Sequence, residues 1–437
     1  MSTIYKMKRL TILLLLLSNF AVAQDTLRIV IDQGVENALP IAVIPFGWNQ
    51  DTLEPVDMAL TIANDLARSG RFVPMKERDL PQRPNLFEQI NFKDWRLLGM
   101  ENLVIGNLVQ TGTGSYEVEF RLVNTFNNRQ LAGFRIPAPI NQLRRTAHRI
   151  SDIIFEKLTG VRGAFDTRIA YITVKELGAE KKQYNLLIAD ADGFNPQVLL
   201  SSEEPLLSPA WSPDGKRIAY VSFESRNSNI YVQDILSGAR TKVADNKGIN
   251  SAPAWSPDGT RLAMTLSKGG SPDIYIMHLA TRTTQQLTFN QAIDTEPSWA
   301  VDGSKIAFTS DRGGSAQIYE TSAIGGEARR LTFEGNYNAR PRYSPDGKSM
   351  TMVTSRNDGR YRIAYLELSS GYSSILTNTN LDESPSFAPN GSMIIYATAT
   401  RAGTELAAVS ADGTVHQRLA MQGGEVREPA WGPFLSP

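Results

Sequence analysis

Ser208-Pro-Ala-Trp-Ser-Pro-Asp-Gly215 returns as Ala252-Pro-Ala-Trp-Ser-Pro-Asp-Gly259, and the pattern goes on at the same pitch. Further copies are Glu296-Pro-Ser-Trp-Ala-Val-Asp-Gly303, Arg340-Pro-Arg-Tyr-Ser-Pro-Asp-Gly347, Ser384-Pro-Ser-Phe-Ala-Pro-Asn-Gly391 and the shortened Glu428-Pro-Ala-Trp-Gly-Pro433. The anchor prolines Pro209, Pro253, Pro297, Pro341, Pro385 and Pro429 stand 44 residues apart without exception. A fixed period of this length is the mark of a β-propeller built blade by blade. Within each unit the Pro-aromatic run ends in Asp-Gly, a turn signal, because glycine accepts positive φ freely. Apolar runs follow at Ile218-Ala-Tyr-Val221, Leu262-Ala-Met-Thr265 and Ile306-Ala-Phe-Thr309, then at Ile230-Tyr-Val232, Ile274-Tyr-Ile276 and Ile318-Tyr319. A fourth apolar position recurs at Val243, Leu287, Leu331, Ile375 and Leu419. Short Val/Ile/Tyr/Phe runs between turn clusters are strands, and four of them per period make a blade.

The ends of the repeat predict how the ring closes. Arg168-Ile-Ala-Tyr171 repeats Arg217-Ile-Ala-Tyr220 but has no Pro-Trp anchor before it, while Pro429–Trp431 has no blade after it. The last strand is therefore expected to complete the first blade, giving six blades and no open edge at the junction. The first interval is 49 residues instead of 44, and the extra five are assigned to the loop between Lys175 and Lys182.

The chain has 437 residues, enough for two or more domains. It has no cysteine, which excludes disulfides, thiolate metal sites and cysteine nucleophiles. Lys6, Lys8 and Arg9, the apolar run Leu10–Leu17 and Ala21-Val22-Ala23 read as a secretory leader cut after residue 23. The apolar run is too short for a membrane span, and no cysteine follows for lipid attachment. Cleavage removes three of the 45 Lys and Arg and none of the 45 Asp and Glu, leaving about −3, which argues against nucleic acid as partner.

Residues 35–160 lack the repeat and read as an α/β domain, with the propeller over 161–437. Leu27–Ile31 and Ile41–Phe46 have strand character. Pro55–Ser69 has helical spacing with Gly70 as a stop. Leu103–Gln110, Tyr116–Thr125 and Gln130–Pro137 read as three strands, and a helix is expected over Gln142–Leu158. Its Arg144, Arg145, His148 and Arg149 are read as a solvated face.

Catalytic chemistry is hard to place. The three histidines, His148, His278 and His416, are isolated and lack metal-ligand spacing. No Gly-x-Ser-x-Gly elbow is present, and Gly112-Thr-Gly-Ser-Tyr116 lacks the later glycine of a phosphate loop. The repeated Pro-Asp-Gly is read as a turn, not a cation site. No catalytic residue, cofactor site or metal set is expected, although Asp294, Asp382 and Glu383 are close enough in phase to raise a channel-bound cation. What varies between repeats is the segment just before each inner strand. Asn250, Ser251 and Ala252, Asp294, Thr295 and Glu296, Arg340, and Asp382 and Glu383 fall at one mouth of the channel. A fixed scaffold with varied loops is what a partner-reading surface needs.

Leu27-Arg-Ile-Val-Ile-Asp-Gln-Gly34, Phe155-Glu-Lys-Leu-Thr-Gly160, Leu207–Gly215, Phe308-Thr-Ser-Asp311 and Leu381-Asp-Glu-Ser-Pro385 together resemble the TolB family, the periplasmic propellers of the Tol–Pal cell-envelope system. The resemblance spans nearly the whole exported chain. It implies a non-enzymatic, monomeric hub in the periplasm that supports outer-membrane integrity and constriction at cell division. The mouth residues Asn250, Ser251, Ala252, Thr295, Glu296, Arg340, Asp382 and Glu383 are then expected to meet the peptidoglycan-associated lipoprotein, and bacteriocin translocation domains dock on the same face. An N-terminal arm, residues 24–34, is expected to bind the periplasmic domain of TolA through Leu27, Arg28, Ile29, Val30, Ile31, Asp32 and Gly34. Ile249 stands where related sequences can carry histidine. The contrasting reading is a propeller that binds or hydrolyses a small molecule or peptide in its funnel.

Overall fold

The computed structural model describes residues 28–33, 38–48, 50, 54–178, 181–401, 403–420 and 424–435. The leader, Leu27 and Gly34 lie outside these residues. Six sheets surround one axis. Their innermost strands, Leu206–Trp211, Asn250–Trp255, Asp294–Trp299, Tyr337–Tyr343, Asp382–Phe387 and Glu425–Trp431, pack side by side around it. Each blade runs antiparallel from the inner strand outward. Glu425–Trp431 pairs with Arg168–Gly178, setting Trp431 opposite Ile169, so the last strand does complete the first blade.

The repeat motif explains how neighbouring blades lock. The indole N–H of Trp255 donates to the Ala210 carbonyl of the preceding blade at 3.1 Å, and Trp299 donates to Ala254 at 3.0 Å. Trp211 closes the ring by donating to Ala430 at 3.0 Å. Arg217 and Arg261, each just past the turn, lay their guanidiniums over the tryptophans of the next blade, Trp255 and Trp299, at 4.7 and 4.6 Å. The Asp of each Pro-Asp-Gly ties the turn: Asp258 accepts from Thr260 N at 3.0 Å and from the Ser256 hydroxyl, and Gly259 adopts φ +69°. The carboxylates are consumed locally, as a turn requires.

Two features depart from expectation. The five extra residues of the first blade do not form a loop. They lengthen a hairpin whose strands, Arg168–Gly178 and Lys181–Asp190, have 11 and 10 residues against 6 and 6 in the second blade. The sixth blade carries a fifth strand. Arg28–Gln33 lies antiparallel along the outer strand His416–Ala420, with Ile29 opposite Leu419.

The N-terminal domain is a mixed sheet in the order Phe72–Pro74, Leu39–Val43, Asn102–Gly112, Ser115–Asn124 and Arg129–Pro139. The helices Met58–Arg68 and Leu143–Thr159 cover one face, burying Ile62, Leu66, Ala147, Ile150 and Ile154 against Val104, Val118, Phe120 and Leu122. Asp57 caps the first helix by accepting from Leu60 N at 2.8 Å, and Gly160 at φ +76° ends the second. Trp95, Ile44, Leu103 and Ile105 form a second core on the opposite face.

Most of the basic face of the second helix is paired with aspartates instead of turned free to solvent. Arg144 pairs with Asp192 in the first blade, and Arg145 Nε lies 3.0 Å from Asp166. His148 is buried with Nδ1 2.7 Å from Asp65. Arg68 bonds both Asp65, at 3.1 Å, and the Ala191 carbonyl of the propeller, at 3.3 Å. The face reads as polar because its partners are aspartates remote in sequence, Asp65 on the neighbouring helix and Asp166 and Asp192 on the propeller side, which helical periodicity cannot see. Gly70 completes the seam: a Cβ there would sit 2.4 Å from a methyl of Val415.

Candidate functional site

The mouth is built from one short stretch of each repeat. In all six blades the residue before the anchor proline has a left-handed backbone, with φ between +49° and +57° at Ser208, Ala252, Glu296, Arg340, Ser384 and Glu428. None is glycine. Each therefore carries a cost of order 1–2 kcal/mol that the surrounding sheet must over-determine. The inner-strand pairing breaks register at the same place in every blade, as between Thr295 and Ser298. A bulge of this kind re-aims side chains, and it stands at the same phase in all six blades.

Four of those six residues form a network across the channel, three of them charged. Arg340 Nε is 3.0 Å from Glu296 Oε1, Arg340 Nη1 is 3.3 Å from Glu428 Oε1, and the same guanidinium donates to the Ser384 hydroxyl. Glu296 belongs to the fourth blade, Arg340 to the fifth, Ser384 to the sixth and Glu428 to the first, so the contacts can only meet inside the ring. Glu296 Oε2 also accepts from Arg340 N at 2.9 Å and from the Thr309 hydroxyl at 2.8 Å. The Glu428 carboxylate raises the Arg340 pKa against the opposing effect of burial. Arg342, just outward, has its pKa lowered by burial and donates to the Pro341 carbonyl at 2.8 Å. Glu383 is half-buried beside them; burial raises its pKa, with Arg340 opposing.

Two expected mouth residues are corrected. Asn250 and Asp382, placed by the repeat phase among partner-facing groups, are both 0 % exposed. They work as staples for the incoming loop. Asn250 donates to the Asn246 carbonyl at 2.7 Å and to Ser228 O at 2.9 Å, while Asp382 accepts from the Thr377 and Thr379 hydroxyls. Asp294 does the same with Asn290 at 2.8 Å and Arg312 at 2.7 Å, and Asn338 with Glu334 O at 2.7 Å. At this one phase in four blades a short amide or carboxylate ties down the incoming loop, the amides by donating to backbone carbonyls and the carboxylates by accepting from side chains. Ser251, Ala252, Thr295 and Glu383 remain half-buried at the mouth, while Glu296 and Arg340 are committed to each other below it. Asp294, Asp382 and Glu383 do not converge on a common point; among the described residues the one compact His/carboxylate group is Asp65, His148 and Asp192, in the domain seam. Arg68 and Arg144 already occupy those carboxylates, which suits ion pairing better than a cation.

The outermost residues of the mouth were only partly anticipated. Four positions before the anchor proline stand Ile249, Ile293 and Leu381, exposed by 46, 50 and 47 %. Tyr337 holds the equivalent position in the fifth blade and packs edge-on against Tyr361 at 5.2 Å. Phe289 and Phe333, four residues farther back, are also exposed. These form an apolar rim around a polar, internally paired channel. The signal was present in the sequence as an aliphatic residue recurring at fixed phase in a stretch otherwise polar.

Both domains match known families. Residues 27–131 match the TolB amino-terminal domain and residues 155–435 the TolB beta propeller domain. The chain belongs to the TolB family. It is 59 % identical over 415 residues to the Tol-Pal system protein TolB of Thioalkalivibrio sulfidiphilus, covering 94 % of this chain and 95 % of that one. It is 52 % identical over 226 residues, about half of each chain, to the Tol-Pal system protein TolB of Nitrosococcus oceani. The crystal structure of TolB from Acinetobacter baumannii superimposes with a TM-score of 0.86 at 40 % identity, covering 93 % of this chain and all of that one. The two-domain arrangement is thus the family's own.

Proposed function

We propose that this chain is a periplasmic, non-enzymatic component of a Tol–Pal system, a monomeric hub that binds the peptidoglycan-associated lipoprotein at the propeller mouth and TolA through its N-terminal arm, supporting envelope integrity and constriction at division. The observation that carries the reading is the apolar rim of Ile249, Ile293 and Leu381 around a channel plugged by the Glu296–Arg340–Glu428 network. A plugged funnel offers a surface instead of a pocket, and apolar side chains at its edge supply the water-excluding contacts that anchor protein partners. Thr295, Ser251 and Glu383 add polar groups within the rim, beside the methyl of Ala252, and bacteriocin domains that dock on this family would use the same face. A small-molecule funnel needs free groups along its channel, and here Glu296, Arg340, Ser384 and Glu428 bond one another.

The arm reading is supported by topology. The sixth blade is already complete at four strands, so Arg28–Gln33 adds to its edge without being required by it. A strand held along one edge by backbone pairing can leave and pair elsewhere. Lipoprotein binding that favours the docked strand would weaken TolA binding, a coupling that is reciprocal by linkage.

The test is calorimetric titration of the exported protein with the soluble domain of the host's peptidoglycan-associated lipoprotein, alongside Leu381→Asp. Saturable binding that is weakened at least ten-fold by the substitution is expected. Absence of binding between two folded proteins overturns the assignment of this face. Unchanged TolA affinity in the presence of saturating lipoprotein overturns the coupling alone.

A further inference from the structure

Between the helix Leu143–Thr159 and the first blade lies a cavity of about 290 Å³. Its wall carries Arg144, Arg145, Arg168 and His148 against the carboxylates of Asp166 and Asp190. The inventory is cationic, and part of it is unspent. Asp166 accepts from Arg145 Nε at 3.0 and 3.2 Å. Among the described residues, two buried donors on the wall find no hydrogen-bond partner, His148 Nε2 and Arg144 Nε. His148 is 2 % exposed and its Nδ1 belongs to Asp65, so Nε2 is the nitrogen left over. The nearest carboxylate oxygen to it, Asp192 Oδ2, is 3.8 Å away, beyond hydrogen-bonding distance. Buried donors without acceptors are rare in folded proteins and call for an explanation. Here one oxygen-rich group placed in the cavity would serve both.

We propose that this interdomain cavity binds a small molecule through a carboxylate or phosphoryl group that accepts hydrogen bonds from Arg168, Arg144 Nε and His148 Nε2, so that the ligand bridges the two domains. Guanidinium and imidazolium donors converging on an oxyanion give the strong, charge-assisted class of hydrogen bond. The amides of Asn195 and Gln197 on the propeller side stand ready to select what is attached to it. Charges beyond the wall complete the setting: Asp192 behind Arg144, and Asp65 and Arg68 on the helix Met58–Arg68. Burial opposes a charge on His148, but the Asp65 and Asp192 carboxylates together outweigh it and raise its pKa. Burial also raises Asp190, to about 6. Acid therefore keeps the imidazolium and removes a carboxylate, and both changes favour an anion. The site lies at the seam and rests on no part of the mouth reading.

The chain has three histidines, which makes His148 observable in the intact protein. Nitrogen-15 spectra of the imidazoles are recorded while the exported protein is titrated with inorganic phosphate, with succinate and, at matched ionic strength, with chloride. A saturable shift of His148 with phosphate or succinate, sparing His278 and His416, is expected; the tighter of the two identifies the ligand chemistry. Affinity should fall at least five-fold between pH 6 and pH 8. Arg168→Gln should weaken it ten-fold, and Arg168→Lys, which keeps the charge, should recover most of that loss. No saturable His148 shift with either probe overturns the proposal. So does binding unaltered in Arg168→Gln, or lost equally in a folded Arg168→Lys.

Discussion

The channel and the domain seam are both networks of arginine and carboxylate, yet they are made in opposite ways. In the channel, Glu296, Arg340, Ser384 and Glu428 occupy one phase of a repeat, and rotational symmetry brings them together whatever their identity. In the seam, Asp65, Arg68, Arg144, His148 and Asp192 come from two helices and a blade turn with no shared phase. The hub of the channel is also wetter than the hub of the seam: the Arg340 side chain keeps 28 % of its surface exposed, whereas Asp65 keeps 1 %. Symmetry makes the first network tolerant of exchange. Burial makes the second intolerant, because removing one member leaves the others desolvated and unpaired.

Substitutions that separate the two networks should fall in order of burial. Asp65→Ala strands His148 and Arg68, and a loss of about 4 kcal/mol is expected in urea unfolding, with the two domains melting apart. Arg340→Ala breaks a partly screened network and should cost about 2 kcal/mol, without separating the domains. Equal effects from these two would remove the distinction between symmetric and unique networks.

Asp152 gives the seam a pH dependence. Its carboxyl accepts from Phe165 N at 2.7 Å and Asp166 N at 3.3 Å, and burial raises its pKa to about 7. A raised carboxyl pKa means the folded state holds its proton more tightly than the unfolded chain. The associated stability is present below the ordinary aspartate value of 3.8 and is lost as pH rises through about 7. Between pH 6 and pH 8 the loss from this group should be about 1 kcal/mol, and Asp152→Asn should flatten that slope. A slope unchanged in the variant would assign the pH dependence to His148 or Asp190. Trp255→Phe removes one inter-blade bond to Ala210, and a loss of about 1 kcal/mol is expected in the melting transition. Leu381→Asp at the rim should leave stability within about 0.5 kcal/mol while changing partner affinity.

Much of the fold was legible because it is periodic. Tryptophan at a 44-residue pitch has one economical explanation, and the missing partners of Arg168–Tyr171 and Pro429–Trp431 imply each other. The mouth was legible only as a location. Asn250 and Asp382 have the polarity of surface residues and sit at the variable phase, but their side chains turn back to hold their own loops. Polarity alone does not separate a group that waits for a partner from one that has found it within four residues. The helix Leu143–Thr159 failed in the same way at longer range, since Asp192 and Asp65 are remote from Arg144 and His148 in sequence.

The amino-acid sequence by itself determined the six blades, their phase, the closure of the ring, the α/β character of the first domain and the band of residues that forms the mouth, because each depends on local periodicity and turn chemistry. The tertiary structure alone decided which charges meet across the channel, which polar residues are staples, where the fifth strand of the sixth blade comes from and how the two domains are bolted together. Those are relations between residues tens to hundreds of positions apart, and their free energies depend on burial and distance, which no local pattern carries.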